Sequence, residues 1–222
     1  MSFNIAIDGP AGAGKSTIAK KLAAVLSFVY VDTGAMYRAM AYYFLTNGIS
    51  AEDEAALQDA CEHIQITLKY VDGVQRVLLN GTDISGEIRR EEVGNMASAT
   101  SGYPFVRAKL LSLQQDMAAN YDVIMDGRDI GTCVLPNAQL KVYLTASVQT
   151  RAKRRYQELV EKGETCNLAA IEKDIEERDY RDMHREIAPL KAADDAKILD
   201  SSDLNIDEVV QAILAMVEQV RR

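Results

Sequence analysis

The stretch IAIDGPAGAGKST, residues 5–17, decides the fold class of this chain of 222 residues. It begins with an apolar run, continues through a glycine-rich turn and reaches a lysine followed by two hydroxyl side chains. The spacing GxxxxGKS is typical of a loop that binds phosphate, because its glycines let backbone N–H groups converge on phosphate oxygens. The predicted loop comprises Gly9, Pro10, Ala11, Gly12, Ala13, Gly14, Lys15, Ser16 and Thr17.

Two side chains of this loop carry specific chemistry. Lys15 supplies a positive charge to the β and γ phosphates of a nucleoside triphosphate, and Ser16 offers its hydroxyl to Mg²⁺. The helix expected to start near Lys15 adds the positive end of its dipole. The loop therefore predicts binding of a nucleoside triphosphate with Mg²⁺, whereas the phosphoryl acceptor has to be inferred from other residues.

Hydrophobic periodicity on both sides of the loop predicts an α/β fold. Apolar runs at 3–7 and 28–31 are typical of buried strands, and the apolar spacing at 15–26 predicts a helix between them. This strand–helix–strand opening favours a parallel sheet with covering helices. Further strands are predicted at 123–125, 140–144 and 197–199, and further helices at 36–45, 93–97, 106–117 and 206–220, with two more between 148 and 187 that break at Lys162-Gly163.

A different pattern interrupts this order. Apolar and polar residues alternate at 64–71 and at 74–79, with Asp72-Gly73 between the two runs and Asn80-Gly81 after them. Alternation with such turn residues predicts a small antiparallel element near 64–84. We therefore expect one domain whose core comprises residues 1–60 and 96–222, with an insertion at about 60–95.

Charge and composition exclude several functional classes. The chain has 25 Lys and Arg against 33 Asp and Glu, a formal charge of −8, which argues against a general binder of nucleic acid or membrane surfaces. Three scattered cysteines and two histidines do not form a disulfide framework or a zinc ribbon. The first residues lack the pattern of a signal peptide, so a cytoplasmic location is expected.

Polar residues follow two of the predicted strands and indicate where the acceptor binds. Asp32-Thr33-Gly34 ends the second strand, with Arg38 one helical turn further on. Asp126-Gly127-Arg128-Asp129 takes the same position after the third strand of the sheet. Because the carboxyl ends of parallel strands line the ligand crevice, we expect both groups to face one cleft beside the phosphate loop.

Arginines are concentrated in the charged region that follows. Arg178, Arg181 and Arg185 have a spacing that would place them on one face of a helix. Converging guanidinium groups suit a transferring phosphoryl group, although ion pairs on a surface helix would give a similar pattern. A second such group lies one helix earlier and comprises Arg151, Arg154 and Arg155.

These motifs together resemble the bacterial cytidylate kinases that have a long insertion in their monophosphate-binding part. The resemblance covers essentially the whole chain, and the DTGAMYRA and DGRDIGT strings are more specific than the phosphate loop. The matching strings are IAIDGPAGAGKST at 5–17, DTGAMYRA at 32–39, DGRDIGT at 126–132, RAKRR at 151–155, ERDYRDMHREIAPL at 177–190 and LDSS at 199–202.

The resemblance implies a fold and a reaction. The fold is a three-layer phosphate-loop kinase with a five-stranded parallel sheet in the order 2-3-1-4-5, and the reaction is the ATP- and Mg²⁺-dependent phosphorylation of CMP and dCMP. It also implies a monomer and a lid at about 150–170 that closes over the donor. No strong second acidic motif for magnesium follows the loop, so whether Asp126 assists the metal stays open.

The resemblance also assigns roles to individual residues. Lys15, Arg128, Arg178, Arg181 and Arg185 are the expected catalytic residues, and Arg154 and Arg155 lie in the lid helix on the ATP side. Positions that hold the acceptor phosphate are Thr33, Arg38, Arg128 and Arg185; those that read cytosine are Ser98, Arg107 and Asp129; those that contact the sugar are Arg178 and Asp182.

Two other classes of function share parts of this pattern. A kinase of the shikimate or dephospho-coenzyme A type has the phosphate loop but would not need the set Ser98, Arg107 and Asp129. A nucleotide-dependent switch would hold ATP or GTP without a small-molecule acceptor, which leaves the arginines of the second site without a role.

Overall fold

The computed structural model describes residues 2–221, and the chain divides into two compact units. The first unit contains the chain as far as Tyr30 together with everything from Asn120 onward. The second unit is Val31–Ala119, and it contains the expected insertion of about 60–95.

The first unit is built on a parallel sheet. Its strands are β1 (Asn4–Asp8), β2 (Val29–Asp32, which crosses the unit boundary), β6 (Val123–Gly127), β7 (Leu140–Thr145) and β8 (Lys197–Asp200). The order in space is β2-β6-β1-β7-β8, which confirms the order 2-3-1-4-5 when only these strands are counted. The central strand β1 is flanked in parallel by β6 and β7, so Asp8 lies beside Gly127 and Tyr143 at the carboxyl edge.

Helices cover this sheet and bury its apolar side chains. Ile5 and Ile7 of β1 pack with Leu22 of α1 (Lys15–Leu26) and Ile213 of α8 (Ile206–Arg221), and all four side chains are fully buried. Because helices pack on both faces of this sheet, both faces of β1 are buried. This explains why the apolar residues at the start of the chain are continuous and do not alternate with polar ones. The helices of this unit are α1 (Lys15–Leu26), α6 (Val148–Glu161), α7 (Leu168–His184) and α8 (Ile206–Arg221), with a short π-helical turn at Ile130–Val134 after β6.

The second unit combines helices with the predicted antiparallel sheet. Strand β3 (Ile66–Val71) pairs with β4 (Val74–Leu79), and β5 (Thr82–Asp83) adds a short third strand. Asp72 and Gly73 form the turn with positive φ angles, as the sequence predicts. The helices are α2 (Thr33–Thr46), α3 (Glu54–His63), α4 (Glu91–Thr100) and α5 (Pro104–Asn120), with a 3-10 turn at Glu87–Arg89.

Helix α3 is the one long element that sequence periodicity missed. Its buried side chains are only Leu57, Ala60 and Cys61, which give a weak apolar stripe. The sequence does mark the start of this helix, because Asp53 is a typical N-cap residue. Its side chain accepts the Ala56 N–H and caps the helix.

Over residues 2–221, none of the helices has the length and apolar character that crossing a membrane requires.

Candidate active site

The phosphate loop lies between β1 and α1 in the first unit. Gly9 has a φ of 149°, and a Cβ at this position would overlap the carbonyl oxygen of Leu144 on β7, so only glycine fits. Gly14 has a φ of 84° and starts α1 with no side-chain cap. The first N–H groups of α1 are therefore left for an anion, to which the positive end of the helix also contributes.

Lys15 is folded back over this loop. Its Nζ donates to the carbonyl oxygen of Pro10 at 2.7 Å, and the residue is buried. Burial lowers the pKa of Lys15, and the neighbouring Arg128 acts in the same direction. Asp126 and Asp8 oppose this shift, so the lysine lies among charges of both signs.

The hydroxyl of Ser16 lies against a buried carboxylate. Ser16 donates to Asp126 Oδ2 at 2.8 Å, and the hydroxyl of Tyr30 donates to Asp126 Oδ1 at 2.9 Å. Within residues 2–221, no cluster of three or more acidic, histidine or cysteine side chains forms a metal cage. Mg²⁺ needs only one or two protein oxygens when phosphates and waters complete its shell, so Ser16 and Asp126 form a suitable donor pair.

Asp8, at the end of β1, connects this strand to the loop after β6. Its two carboxylate oxygens accept the N–H groups of Ile130 and Gly131, each at 2.7 Å. The Asp8 carboxyl is buried, which raises its pKa from the ordinary 3.8 to about 6 despite the two backbone hydrogen bonds. Asp8 thereby fixes the start of the turn that follows Arg128 and Asp129.

This raised pKa predicts a specific pH dependence of stability. Between pH 4 and 6 the folded chain holds a proton on Asp8 that the unfolded chain has lost, so this group's contribution to the unfolding free energy falls as the pH rises. Asp8→Asn removes the effect. We expect the unfolding free energy of the wild type, relative to that of Asp8→Asn, to decrease by roughly 2–3 kcal/mol from pH 4 to 7.

Urea denaturation at a series of pH values measures this difference. The variant Asp174→Asn, at an exposed position on α7, is the control. A difference between wild type and Asp8→Asn that stays constant from pH 4 to 7 would contradict the prediction.

An ion pair holds Arg128, which directly follows β6, against the buried carboxylate of Asp182. Arg128 Nε donates to Asp182 Oδ2 at 2.7 Å. Burial raises the pKa of Asp182, but Arg128, Arg178 and Arg185 outweigh burial and hold this pKa below its ordinary value. For Arg128, burial lowers the pKa, but Asp182 and Asp126 outweigh it and the net direction is upward. Both groups are therefore charged at neutral pH.

Arg185 is held from two sides. Its Nη2 lies 3.3 Å from Asp129 Oδ1, and its Nε donates to the carbonyl oxygen of Ala188 at 2.7 Å. Helix α7 ends at His184 and Arg185 is extended, so the predicted common helix face is wrong for Arg185. Arg178 is half-buried and Arg181 is exposed on α7.

The three arginines of the second group lie on α6, and each has different surroundings. Arg151 is buried and donates to the carbonyl oxygens of Ala146 and Ala11, and it pairs with Asp179 at 2.7 Å. The expectation that Arg151 is one of a group open to a phosphoryl ligand is therefore wrong, because its guanidinium braces the phosphate loop. Arg154 donates to the Ser201 carbonyl oxygen at 2.6 Å, and Arg155 pairs with Glu158 at the surface.

The second unit carries the remaining predicted residues. Thr33 is buried at the first position of α2, and Arg38 lies one turn further, with its Nη2 3.3 Å from Asp32 Oδ2. Arg107 of α5 donates to the Ser101 carbonyl oxygen at 3.3 Å and lies over the ring of Tyr37. The Ser98 hydroxyl on α4 is buried and has no hydrogen-bond partner in the described part of the chain.

Comparison with known proteins decides the family. The sequence model of the cytidylate kinase family matches residues 5–219. A cytidylate kinase of Lactobacillus johnsonii is 50% identical over 99% of this chain and 96% of its own length. One of Leuconostoc mesenteroides is 49% identical over 98% of this chain and 97% of its own.

The chain belongs to the cytidylate kinase family. Solved structures support the fold of this family at much lower identity. A shikimate kinase of Bacteroides thetaiotaomicron is similar with a TM-score of 0.50 and 14% identity, over 97% of this chain and 98% of its own. A likeness at this identity shows the phosphate-loop kinase fold, whereas the family rests on the full-length sequence matches.

Three site features of this family member were not predicted from its sequence. Asp8 was given no role, although a carboxylate directly after the apolar run 3–7 was a visible signal. Whether Asp126 assists the metal was left open, and the structure shows that its carboxylate accepts a hydrogen bond from the Ser16 hydroxyl. The bracing role of Arg151 had no local signal, because the RAKRR string gives its arginines equal weight.

Proposed function

We propose that this chain transfers the γ-phosphoryl group of ATP to CMP and dCMP in the presence of Mg²⁺. The observation that carries the proposal is the near full-length match to cytidylate kinases at about half identity. The phosphate loop with Lys15 supports the donor side, and the arginines around Asp129 and Asp182 support an anionic acceptor. The monomeric state and the cytoplasmic location stay predictions.

The donor is bound by the loop and by the lid helix. Backbone N–H groups of the loop, which Pro10 lacks, would surround the β and γ phosphates. Lys15 would exchange its hydrogen bond to the Pro10 carbonyl oxygen for these phosphate oxygens. The negative polyphosphate favours the charged ammonium and so opposes the lowering of the Lys15 pKa by burial. Arg154 and Arg155 of α6 take part on the same side.

Mg²⁺ would be held by Ser16 and Asp126. When bound, it neutralises charge on the β and γ phosphates. The hydrogen bond from Ser16 to Asp126 already orients both oxygens, and Tyr30 holds the other carboxylate oxygen. A donor pair of this kind leaves most of the shell to phosphate and water, as Mg²⁺ prefers.

The acceptor is assigned to the residues that the family resemblance implies. We assign its phosphate to Thr33, Arg38, Arg128 and Arg185, and its sugar to Arg178 and Asp182. The base is assigned to Ser98, Arg107 and Asp129, and the buried Ser98 hydroxyl without a partner is a donor or acceptor available to it. Arg181 is exposed on α7 and keeps the catalytic role that the family resemblance implies.

The reaction needs no covalent intermediate. The acceptor is itself a phosphate anion and attacks the γ-phosphorus in line with the leaving group. Catalysis then consists of positioning and of charge neutralisation by Lys15 and the arginines. Water has to be excluded, and we assign this to closure of the lid at about 150–170.

Asp129 gives the site its preference for cytosine. A carboxylate accepts a hydrogen bond from the exocyclic amino group of cytosine and repels the oxygen that uracil has in its place. We expect Asp129→Ala to lower the ratio of kcat/KM for CMP to that for UMP by about 10- to 100-fold.

Steady-state kinetics with both nucleotides measure this ratio. Asp174→Ala, at an exposed position of α7, controls for a general effect of removing a carboxylate. An unchanged ratio in Asp129→Ala would remove Asp129 from base selection.

A coupled assay of ADP release tests the proposed function. The acceptor panel contains CMP, dCMP, UMP, AMP, GMP, dTMP, shikimate and dephospho-coenzyme A. Fast turnover with CMP and dCMP and slow turnover with UMP is the expected result. Turnover only with shikimate or dephospho-coenzyme A, or slow ADP release that no acceptor accelerates, would support one of the other two classes instead.

A further inference from the structure

Asp32 connects the acceptor arginine of the second unit to the inserted sheet. Its side chain is almost fully buried, and Oδ1 accepts the N–H of Ala35 at 2.8 Å, which caps α2. The same carboxylate holds Arg38, whose Nη2 lies 3.4 Å from Oδ1 and 3.3 Å from Oδ2. The position of Asp32 therefore determines both the start of α2 and the direction of the Arg38 guanidinium.

The insertion reaches Asp32 from the other side. Gln75 of β4 accepts the Asp32 N–H at 3.0 Å, and its side-chain amide lies 3.5 Å from the Asp32 carbonyl oxygen. Tyr70 is opposite Gln75 in the hairpin, with its hydroxyl 3.5 Å from the same Gln75 oxygen. Arg89, on the 3-10 turn, lies 3.6 Å from Asp32 Oδ2.

Arg38 is arranged for an anion at the start of α2. Its Nε is buried and has no hydrogen-bond partner among the described residues. A Cβ built on Gly34 would lie 3.2 Å from Arg38 Nη1, so the guanidinium crosses the first turn of the helix. An unpaired buried donor is costly unless a ligand satisfies it, and the helix N-terminus favours a negative ligand.

We propose that Gln75 is a positioning residue, through which the inserted sheet holds Asp32 and thereby aims Arg38 at the phosphate of the acceptor nucleotide. The inference rests on the proposed function, in which Arg38 binds that phosphate. It gives the insertion a role in acceptor affinity without direct contact between Gln75 and the nucleotide.

The test is a double-mutant cycle between Gln75→Leu and Arg38→Ala. Losing the hydrogen bonds of Gln75 is expected to raise the KM for CMP about five- to tenfold. The KM for ATP and kcat are expected to stay within about twofold, since Arg38 is assigned to binding of the acceptor phosphate and is neither on the ATP side nor among the expected catalytic residues. In the Arg38→Ala background, Gln75→Leu is expected to change the KM for CMP by less than about twofold.

Two further variants distinguish a positioning role of Gln75 from a general effect on folding. Gln65→Leu is the matched control, because Gln65 is an exposed residue directly before β3 of the same inserted sheet. Gln75→Asn keeps a polar amide on β4 but is one methylene too short, and we expect it to raise the KM for CMP as Gln75→Leu does. Thermal unfolding by circular dichroism confirms that each variant is folded.

A second measurement tests whether the effect acts through the phosphate. Calorimetry with CMP and with cytidine is expected to show weaker binding of CMP in Gln75→Leu and unchanged binding of cytidine. Equal weakening of both, or an unchanged effect of Gln75→Leu in the Arg38→Ala background, would overturn the inference. Absence of CMP turnover in the wild type would overturn the proposed function and the inference with it. Normal wild-type turnover with Gln75→Leu equal to Gln65→Leu would overturn the inference alone.

Discussion

Lys15→Met is expected to lower kcat for CMP phosphorylation by about 10²–10³-fold, because it removes the positive charge that meets the β and γ phosphates. The fold should tolerate the change. Lys15 is buried, and a methionine of similar length fills its space without the free-energy penalty of a buried charge. Loss of activity with an unchanged or higher unfolding temperature is the expected combination.

Lys21→Met is the matched control for this experiment. Lys21 lies on the same helix, but it is half-exposed and pairs with Asp207 at the surface. We expect its kcat to stay within about twofold of the wild type, since a surface ion pair contributes little. Retention of more than about a tenth of kcat in Lys15→Met would contradict the role given to Lys15.

Arg151→Met is expected to lower the unfolding free energy by about 3–5 kcal/mol. The guanidinium of Arg151 is buried against Asp179 and against the carbonyl oxygens of Ala11 and Ala146. Removing it leaves the Asp179 carboxylate buried with an unpaired charge. The second oxygen of Asp179 already lacks a hydrogen-bond partner among residues 2–221, so the loss of Arg151 leaves this carboxylate without the direct partner it has now.

Arg155→Met, one turn further along α6, is the control, because it removes an exposed arginine where Arg151→Met removes a buried one. Arg155 pairs with Glu158 in an exposed position, and its loss is expected to change stability by less than about 1 kcal/mol. The double variant Arg151→Met/Asp179→Leu should recover most of the lost stability, since it removes both buried charges. Urea denaturation measures the unfolding free energy of all three variants. Similar small losses of stability for Arg151→Met and Arg155→Met would contradict the stabilising role given to Arg151.

The features predicted from the sequence are those with a local cause. The phosphate loop follows from glycines that allow positive φ at fixed spacing, and the hairpin follows from alternation around Asp72-Gly73. Short apolar runs predict the positions of the strands. Asp32 and Asp126 could be predicted as site residues because they are the polar residues at the ends of two such runs. The order of the strands was obtained only from the resemblance to a family, because periodicity does not define neighbours in a sheet.

What the sequence missed depends on contacts between distant residues. Arg151, Arg154 and Arg155 look equivalent in the RAKRR string, and only packing makes the first of them internal. Gln75 lies 43 residues from Asp32, and no local pattern marks a glutamine that binds a backbone N–H at that separation. Arg185 was placed on a helix face by its spacing, but the chain leaves the helix at that residue.

Three buried carboxylates hold backbone segments or guanidinium groups in place. Asp8, Asp32 and Asp182 are buried carboxylates whose partners are backbone N–H groups or arginines. Each of them holds a segment or a guanidinium assigned to substrate rather than touching the reacting atoms. Pre-organised charges of this kind reduce the reorganisation needed when the transition state forms.

Transfer of the γ-phosphoryl group itself is the most direct test of this function. The purified chain would be incubated with Mg²⁺, CMP and ATP labelled in the γ-phosphate, and the products separated by chromatography. The expected result is label in CDP, in amounts equal to the ADP formed, with little labelled inorganic phosphate. Label that appears only as inorganic phosphate, or that remains in ATP while CMP is present, would contradict the proposed reaction.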